Sequence, residues 1–484
     1  MKIIQRYVAI VALVLASGVI GAQTVSPVDF MRYNPYQMRT NPAADLPYES
    51  VMSLLIGNFG LDIQNSTLRY DNLFEFDEQG HPATVNLRQF ANSMKAKNFF
   101  GVNANMEVFT LYRRLNKGIL TIDYGAKVQG DVGFSDGLFN LLGYGNGAFV
   151  GEDNPVNIDL SANASIYQEF AVGYQFNVNK KLSLGVKGKV LFGFANVTTD
   201  AFNVQLITDP DSYALRIKEH IAVRSSFPGV FYVNDDGILD TQGHFNVADL
   251  FKNPGFGVDL AAEYRFDEKW SAVAAVRDLG FIRWRLNNFA MTGDINDAGQ
   301  YYDNGDFLFN GISFDQLQLI ANDDDYREKF MDSLKQYFQV DFATMDKYNK
   351  MLSPNLLLRA NYDITPCNRF SAQLQGQFLG SGFRPAFTLA YCGSFWNNVN
   401  VCATYTVAPH SYDNIGFGFS WMIATCNIYL TTNNILAFFK PMNTSSASAQ
   451  LGIVFNLWLP ERRYVKPAKN EPQEEEGEND TNKK

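Results

Sequence analysis

Residues 164–194 read ASIYQEFAVGYQFNVNKKLSLGVKGKVLFGF, and their apolar side chains recur at every second position. Ile166, Phe170, Val172, Tyr174, Phe176 and Val178 share one face, and Tyr167, Glu169, Gly173, Gln175 and Asn177 share the other. Asn179-Lys180 then turns the chain, after which Leu182, Leu184, Val186, Val190, Phe192 and Phe194 alternate with Ser183, Gly185, Lys187, Lys189 and Gly193. A period of two predicts a hairpin whose two faces meet different surroundings. The pattern recurs at 119–131, 256–266, 369–380 and 414–422.

Strands read at 50–58, 99–114, 119–131, 164–178, 182–198, 255–266, 270–281, 354–364, 369–380, 384–395, 399–408, 414–423, 427–434 and 447–458 number fourteen, and their connections sort by parity. After even-numbered strands the chain turns within a few residues, as in LNKG at 115–118, DEK at 267–269 and ATC at 424–426. After odd-numbered strands the links run long at 59–98, 132–163, 199–254 and 282–353, then shorten. Tight turns at one end and bulky loops at the other are the asymmetry of a bacterial outer-membrane barrel, whose short turns face the periplasm. The predicted fold is all-β, a single transmembrane antiparallel barrel of about fourteen strands over residues 49–460, with both termini periplasmic. In the 282–353 loop, Tyr326, Phe330, Leu334 and Phe338 recur every four residues after three aspartates, which predicts a small helical lid.

If the apolar face meets lipid, the other lines the lumen. That lining would carry Glu107, Asp123, Lys127, Asp131, Glu169, Lys187, Lys189, Asp259, Glu263, Arg265, Arg359, Asp363, Arg369, Arg384 and the stripe Gln373, Gln375, Gln377. Both signs are present, so two readings stand: salt bridges that pack the lumen shut, and a polar path through it.

The first 22 residues point to a chain that leaves the cytoplasm. Lys2 and Arg6 precede an apolar core from Val8 to Ile20, and Gly21-Ala22 precedes Gln23. This predicts a signal peptide over 1–22, since the apolar run falls short of the ~20 residues that span a bilayer. A net charge of −10 argues against a nucleic-acid partner. The end of the chain, 461–484, contains PQEEEGEND and predicts a disordered acidic periplasmic tail.

Catalytic chemistry finds little support. The four histidines, His81, His220, His244 and His410, fall in the outer loops, and no nucleophile elbow or paired-carboxylate spacing accompanies them. No enzymatic activity and no cofactor or metal is expected. Cys392 and Cys402 share the lumen parity across a three-residue turn, where an oxidising compartment permits a bridge and two small buried thiols are the alternative. Cys367 and Cys426 fall in turns on distant strands.

Three stretches carry resemblances. Gln450, Gly452, Phe455 and Leu457 match the C-terminal β-signal read by the barrel assembly machinery, although residues 459–484 follow where such signals usually end the chain. Asn41, Pro42 and Ala43 resemble the Asn-Pro-Ala motif of the N-terminal hatch in the FadL family of long-chain fatty-acid channels, a family of fourteen-stranded barrels. The resemblance implies that residues 23–48 plug the barrel from the periplasmic side. DLGFIRW at 278–284 and NIGFGFSW at 414–421 resemble Bacteroidota outer-membrane barrels of the PorP/SprF or PorV kind, some of which serve type IX secretion or gliding. The implied function is a passive channel or binder for small hydrophobic molecules, surrounded by outer-membrane lipid. The alternative is a structural or secretion-associated barrel holding a protein partner through its outer loops or tail, and a lipid-modifying enzyme is a distant third.

Overall fold

The computed structural model describes residues 25–46, 52–67, 69–76, 82–211, 213, 215–228, 231–233, 239–241, 246–301, 323, 325–326, 329, 341–380, 382–395, 398–409, 411–440 and 443–457. The expected signal peptide, the acidic tail, His81, His244 and His410 lie outside them, as does the expected lid helix but for Asp325, Tyr326 and Lys329.

Among the described residues fourteen strands close into one antiparallel barrel. They are β1 Met52–Asn65, β2 Asn98–Leu115, β3 Gly118–Phe134, β4 Val156–Asn177, β5 Leu182–Thr208, β6 Pro254–Arg265, β7 Trp270–Trp284, β8 Asn355–Thr365, β9 Asn368–Leu379, β10 Gly382–Phe395, β11 Val399–Ala408, β12 Ser411–Ile423, β13 Cys426–Thr432 and β14 Ser446–Leu457. Each pairs with its sequence neighbour, and β1 closes the circle by pairing with β14 as well as with β2. The alternation read in the sequence becomes an outward belt of exposed apolar side chains, among them Ile56, Leu260, Phe370, Leu374, Phe417, Leu430 and Leu451. No described helix is long and apolar enough to cross a membrane. The crossing is made by strands, whose backbone groups are satisfied between neighbours around a ring without edges.

The tight connections have a local cause. In the turn between β4 and β5, Asn179 Oδ1 accepts the backbone N–H groups of Lys181 and Leu182 at 2.8 and 2.9 Å. Between β6 and β7, Asp267 Oδ1 accepts those of Lys269 and Trp270, both at 2.7 Å. The bonds from Trp270 and Lys269 hold the Asp267 carboxyl below its ordinary range. Such side-chain-to-backbone bonds reverse the chain in few residues and pin the register of the strands that follow.

At the opposite end the expected loops are partly strands. β5 has 27 residues, roughly 90 Å at about 3.3 Å per residue and far beyond one bilayer crossing. Its distal half pairs with the strand Leu215–Ser226, which pairs in turn with Asn288–Tyr301, and that strand with Asp341–Thr344. Val156, Val204, Leu206, Ile217 and Ile221 form a buried core there. The stretches 199–254 and 282–353, read as loops from their length, thus contain a sheet extension that stands on the barrel wall. His220 belongs to this extension, paired with Asn203 and Asp294.

The last strand shows why one glycine matters. Gly452 lies opposite Tyr429 of β13, and a Cβ built on it would stand 2.3 Å from the tyrosine oxygen. The ring fills that space, and its hydroxyl donates to Asn58 Oδ1 at 2.6 Å, beside a bulge in β1 at the closing seam. Gly452→Val should therefore expel the ring and lower stability by about 1–3 kcal/mol. The measurement is the temperature at which the folded, fast-migrating barrel is lost on electrophoresis. An unchanged temperature would mean that the seam does not depend on this packing.

Candidate functional site

Residues 25–46 lie inside the barrel at the end bearing the tight turns. Two short 3-10 turns, Pro27–Phe30 and Pro35–Arg39, compact the segment, and Val25, Val28, Phe30, Met31, Met38, Ala43 and Ala44 are all buried. Pro at the first position of each turn presets the backbone, and the Asn34 side chain caps the second by accepting the Tyr36 N–H. An apolar half of the plug, with Val28, Met31, Tyr36 and Met38, packs on Leu55, Tyr112, Ile119, Cys402 and Tyr429 of the wall.

Two wall glycines make room for it. A Cβ on Gly185 would stand 2.2 Å from the Pro42 carbonyl carbon and 2.5 Å from the Ala43 nitrogen, so the Asn41-Pro42-Ala43 backbone lies directly on β5. A Cβ on Gly418 would meet Met31 Cε at 2.6 Å and Pro27 Cβ at 2.9 Å. Asn41 turns its side chain to the wall, donating to Glu263 Oε2 at 2.9 Å, while its Oδ1 accepts the Ala43 N–H at 3.1 Å. Ala43 sits among Ala261, Val273, Ala275 and Leu357. Alternation identifies Gly185 as inward-facing, but only the folded lumen shows what it faces.

The centre of the site is ionic. Arg39, a plug residue that strand alternation could not nominate, reaches Glu107 at 3.1 Å, Glu169 at 3.8 Å and Asp123 at 4.0 Å. Lys187 pairs with Asp123 at 2.6 Å, Lys127 with Glu169 at 2.7 Å, and Lys189 with both Asp259 and Asp278 at 2.7 Å. Four cations thus interleave with five carboxylates, and each carboxylate touches a cation. Desolvated charges are tolerated only when they are so paired.

Asp278 was missed because it breaks the alternation. Up to Val276 the outward positions of β7 are even-numbered, whereas Leu279 and Phe281 point outward after it. A bulge against β6 absorbs the extra residue and turns both Arg277 and Asp278 inward. Asp278 takes φ +57°, a left-handed conformation that Asp tolerates better than most side chains, and its N–H donates to Asp259 Oδ1 at 2.7 Å. Two adjacent charges inside an alternating strand are the signal that was present for this bulge.

The remaining lumen residues fall into smaller groups. Arg359 donates to the Asp29 carbonyl oxygen at 2.8 Å and to Gln373 at 2.6 Å, and its guanidinium lies 4.5 Å from the centre of the Phe30 ring. Gln373 donates on to Gln375 at 3.1 Å, and Gln377 is buried further along the same stripe. Arg369 and the plug's Arg32 share Asp363, and Arg384 pairs with Asp131 at 2.9 Å. Arg265 is placed differently from the lining expected of it: its side chain is 44% exposed at the rim, 3.9 Å from Asp45, because it ends β6 beyond the enclosed part of the wall. Cys392 and Cys402 are directly opposite in register, 4.1 Å apart at Cα, and form a disulfide beneath the plug's apolar half, while Cys367 and Cys426 are free.

Above the ionic layer, toward the long loops, the inward face carries an apolar cluster set among polar groups such as Asn196, whose Oδ1 accepts the Tyr348 hydroxyl at 2.8 Å. Tyr167, Leu191, Ile282, Trp284, Tyr348 and Leu352 form a buried cluster, with the Trp284 ring over Gly193. Among the described residues no group of His, Cys, Asp and Glu has the arrangement of a metal site.

A closed barrel with the segment preceding its first strand folded into the lumen is the class of protein these features define. The chain belongs to the family of unknown function DUF5723, whose model matches residues 42–433, from the plug's Pro42 to the end of β13. No curated protein sequence matches it. In outline it is similar to the Pseudomonas putida toluene transporter TodX, at 9% identity over 90% of this chain and 97% of that one with a TM-score of 0.39. It is also similar to a Pseudomonas aeruginosa FadL homologue, at 12% identity over 88% and 95% with a TM-score of 0.40. The Ralstonia pickettii toluene transporter TbuX is a third, at 8% identity over 87% and 92% with a TM-score of 0.37.

Arg39→Ala should leave Glu107, Asp123 and Glu169 short of one cation and cost about 3–5 kcal/mol, the penalty for breaking a buried pair. Adding Glu107→Gln should restore part of that loss in thermal melts. A double variant no more stable than Arg39→Ala would show that Arg39 does not act through its charge.

Proposed function

We propose that this protein is an outer-membrane barrel that passes small hydrophobic molecules without energy input, and that residues 25–46 are its gate. The observation that carries the reading is the seating of the plug. Its Asn41-Pro42-Ala43 backbone rests on a wall glycine, held there by the Asn41–Glu263 hydrogen bond and by the small Ala43 side chain. The buried apolar cluster around Trp284 lies on the long-loop side of the ionic layer, and a hydrophobic solute entering there would have to part it. On this reading the tight turns and both chain ends are periplasmic and the sheet extension is extracellular. The reading is non-enzymatic.

One observation favours the rival. Arg39 held by three carboxylates closes the lumen with charge, which suits a static barrel that grips a protein partner by its outer loops or tail. The β-signal residues are proposed to be read during insertion. Gln450 faces inward and donates to Asn58 Oδ1, while Phe455 and Leu457 are half-buried on the outward side. Phe455→Asp should impair insertion chiefly by removing the hydrophobic residue at this signal position, since Phe455 lies opposite Cys426 at the tight-turn end, where a lipid-facing charge by itself costs only about 0–1 kcal/mol. Normal heat-modifiable protein in outer-membrane fractions of this variant would count against that role.

The gate is tested by tethering. Ser26 Oγ and Thr431 Oγ1 are 2.9 Å apart, so cysteines at both positions, in a Cys367→Ser, Cys426→Ser background, should bridge plug to wall. Oxidised cells should lose uptake of a radiolabelled aromatic hydrocarbon and regain it on mild reduction, while deletion of 25–46 should raise conductance in planar bilayers. If uptake is indifferent to the tether and conductance to the deletion, the plug is not a gate and the rival becomes the better reading.

A further inference from the structure

We propose that Arg283, Arg285 and Lys347 form an outward-facing seat for the phosphate groups of an outer-leaflet glycolipid. The inference rests on the reading above that the belt meets lipid and that the long-loop end is outermost. Beyond the β7 bulge the outward positions are Leu279, Phe281, Arg283 and Arg285. Phe281 pairs in register with Met351, and both are exposed apolar side chains at the upper edge of the belt. One step farther from the midplane Arg283 pairs with Asn349, and beyond the ladder Arg285 and Lys347 follow, while Trp284 between the arginines is buried inward. Charge therefore begins where the apolar belt ends, at the depth where lipid headgroups lie.

These residues line an open recess of about 540 Å³ together with Met345 and Asp346. Three cations face one carboxylate there, on a protein whose net charge is −10. Among the described residues neither Arg283, Arg285 nor Lys347 has an acidic partner within ion-pair distance, although elsewhere the same chain pairs its charges densely. The recess is anchored from behind. Asn253 Oδ1 accepts the Arg285 and Leu286 N–H groups at 2.7 and 3.2 Å, and Asn288 donates to the Asp346 carbonyl oxygen at 3.2 Å. Two guanidinium forks and an ammonium on a fixed backbone, above an apolar wall, fit an occupant with phosphate at one end and acyl chains at the other. Free phosphate would use the cations and leave the Phe281 and Met351 surface without purpose.

The test uses the full mature barrel in detergent, exchanged with diphosphoryl lipid A or with its dephosphorylated form, and native mass spectrometry of what stays bound. The wild type should retain the phosphorylated glycolipid, and Arg283→Gln, Arg285→Gln, Lys347→Gln together should weaken retention by roughly tenfold or more. The dephosphorylated glycolipid should be retained equally poorly by both. Equal retention of the phosphorylated form by wild type and triple variant would overturn the proposal, and so would its displacement by inorganic phosphate alone. Heat-modifiable mobility in vesicles, measured on both proteins, separates this outcome from failure of the membrane-spanning reading. A barrel that does not insert sinks that reading, whereas an inserted barrel indifferent to lipid phosphate sinks this one.

Discussion

In a bilayer the backbone has no water to bond with, and the whole architecture follows from that lack. A strand that crosses must pair on both sides, so the sheet must close, and here β1 closes it by taking β14 on one edge and β2 on the other. Closure gives every strand an outside and an inside. The outside is apolar for lipid, and whatever remains polar is forced inward, where it competes for space and for partners. The seam shows the two demands meeting: Asn58, turned inward by the β1 bulge, bonds Glu107, accepts from Tyr429 and accepts from Gln450.

The lumen solves its charge problem by pairing across the barrel and into the plug. Lys127, Lys187 and Lys189 come from β3 and β5, their carboxylate partners from β3, β4, β6 and β7, and the remaining cation, Arg39, from the plug segment. The plug is thereby both filler and counter-ion. Its apolar half is held by packing and by two wall glycines, and its polar half by ions. A segment bound this way can be displaced only if those charges find water or other partners, which ties any opening of the lumen to hydration of its centre.

Outside the bilayer the constraint relaxes and the structure changes character. β5 continues upward and takes further strands at its side, with a small core of their own. At the level where lipid ends, charge appears on the outward face of β7 unpaired by described neighbours, the reverse of what the lumen tolerates.

The strand alternation and the parity of turn lengths were legible in the sequence because both are local: a period of two and a two-to-four-residue turn need no distant partner. All fourteen strands were found that way, and so was the inward face carrying Glu169, Lys187 and Asp259. Asn41-Pro42-Ala43 stood out as a motif, and Cys392 and Cys402 were placed opposite each other by counting across one hairpin. What chain order could not supply was which charge meets which, since Arg39 and Glu169, or Arg32 and Asp363, are joined only by the closed ring. The Asp278 bulge, the glycine beds under Pro42 and Met31, and the strands within the 199–254 and 282–353 loops were likewise decided by tertiary pairing. Each is fixed by a neighbour that the chain's linear pattern does not show, whether the plug against the wall, the partner strand of a bulge, or the strands added beside β5.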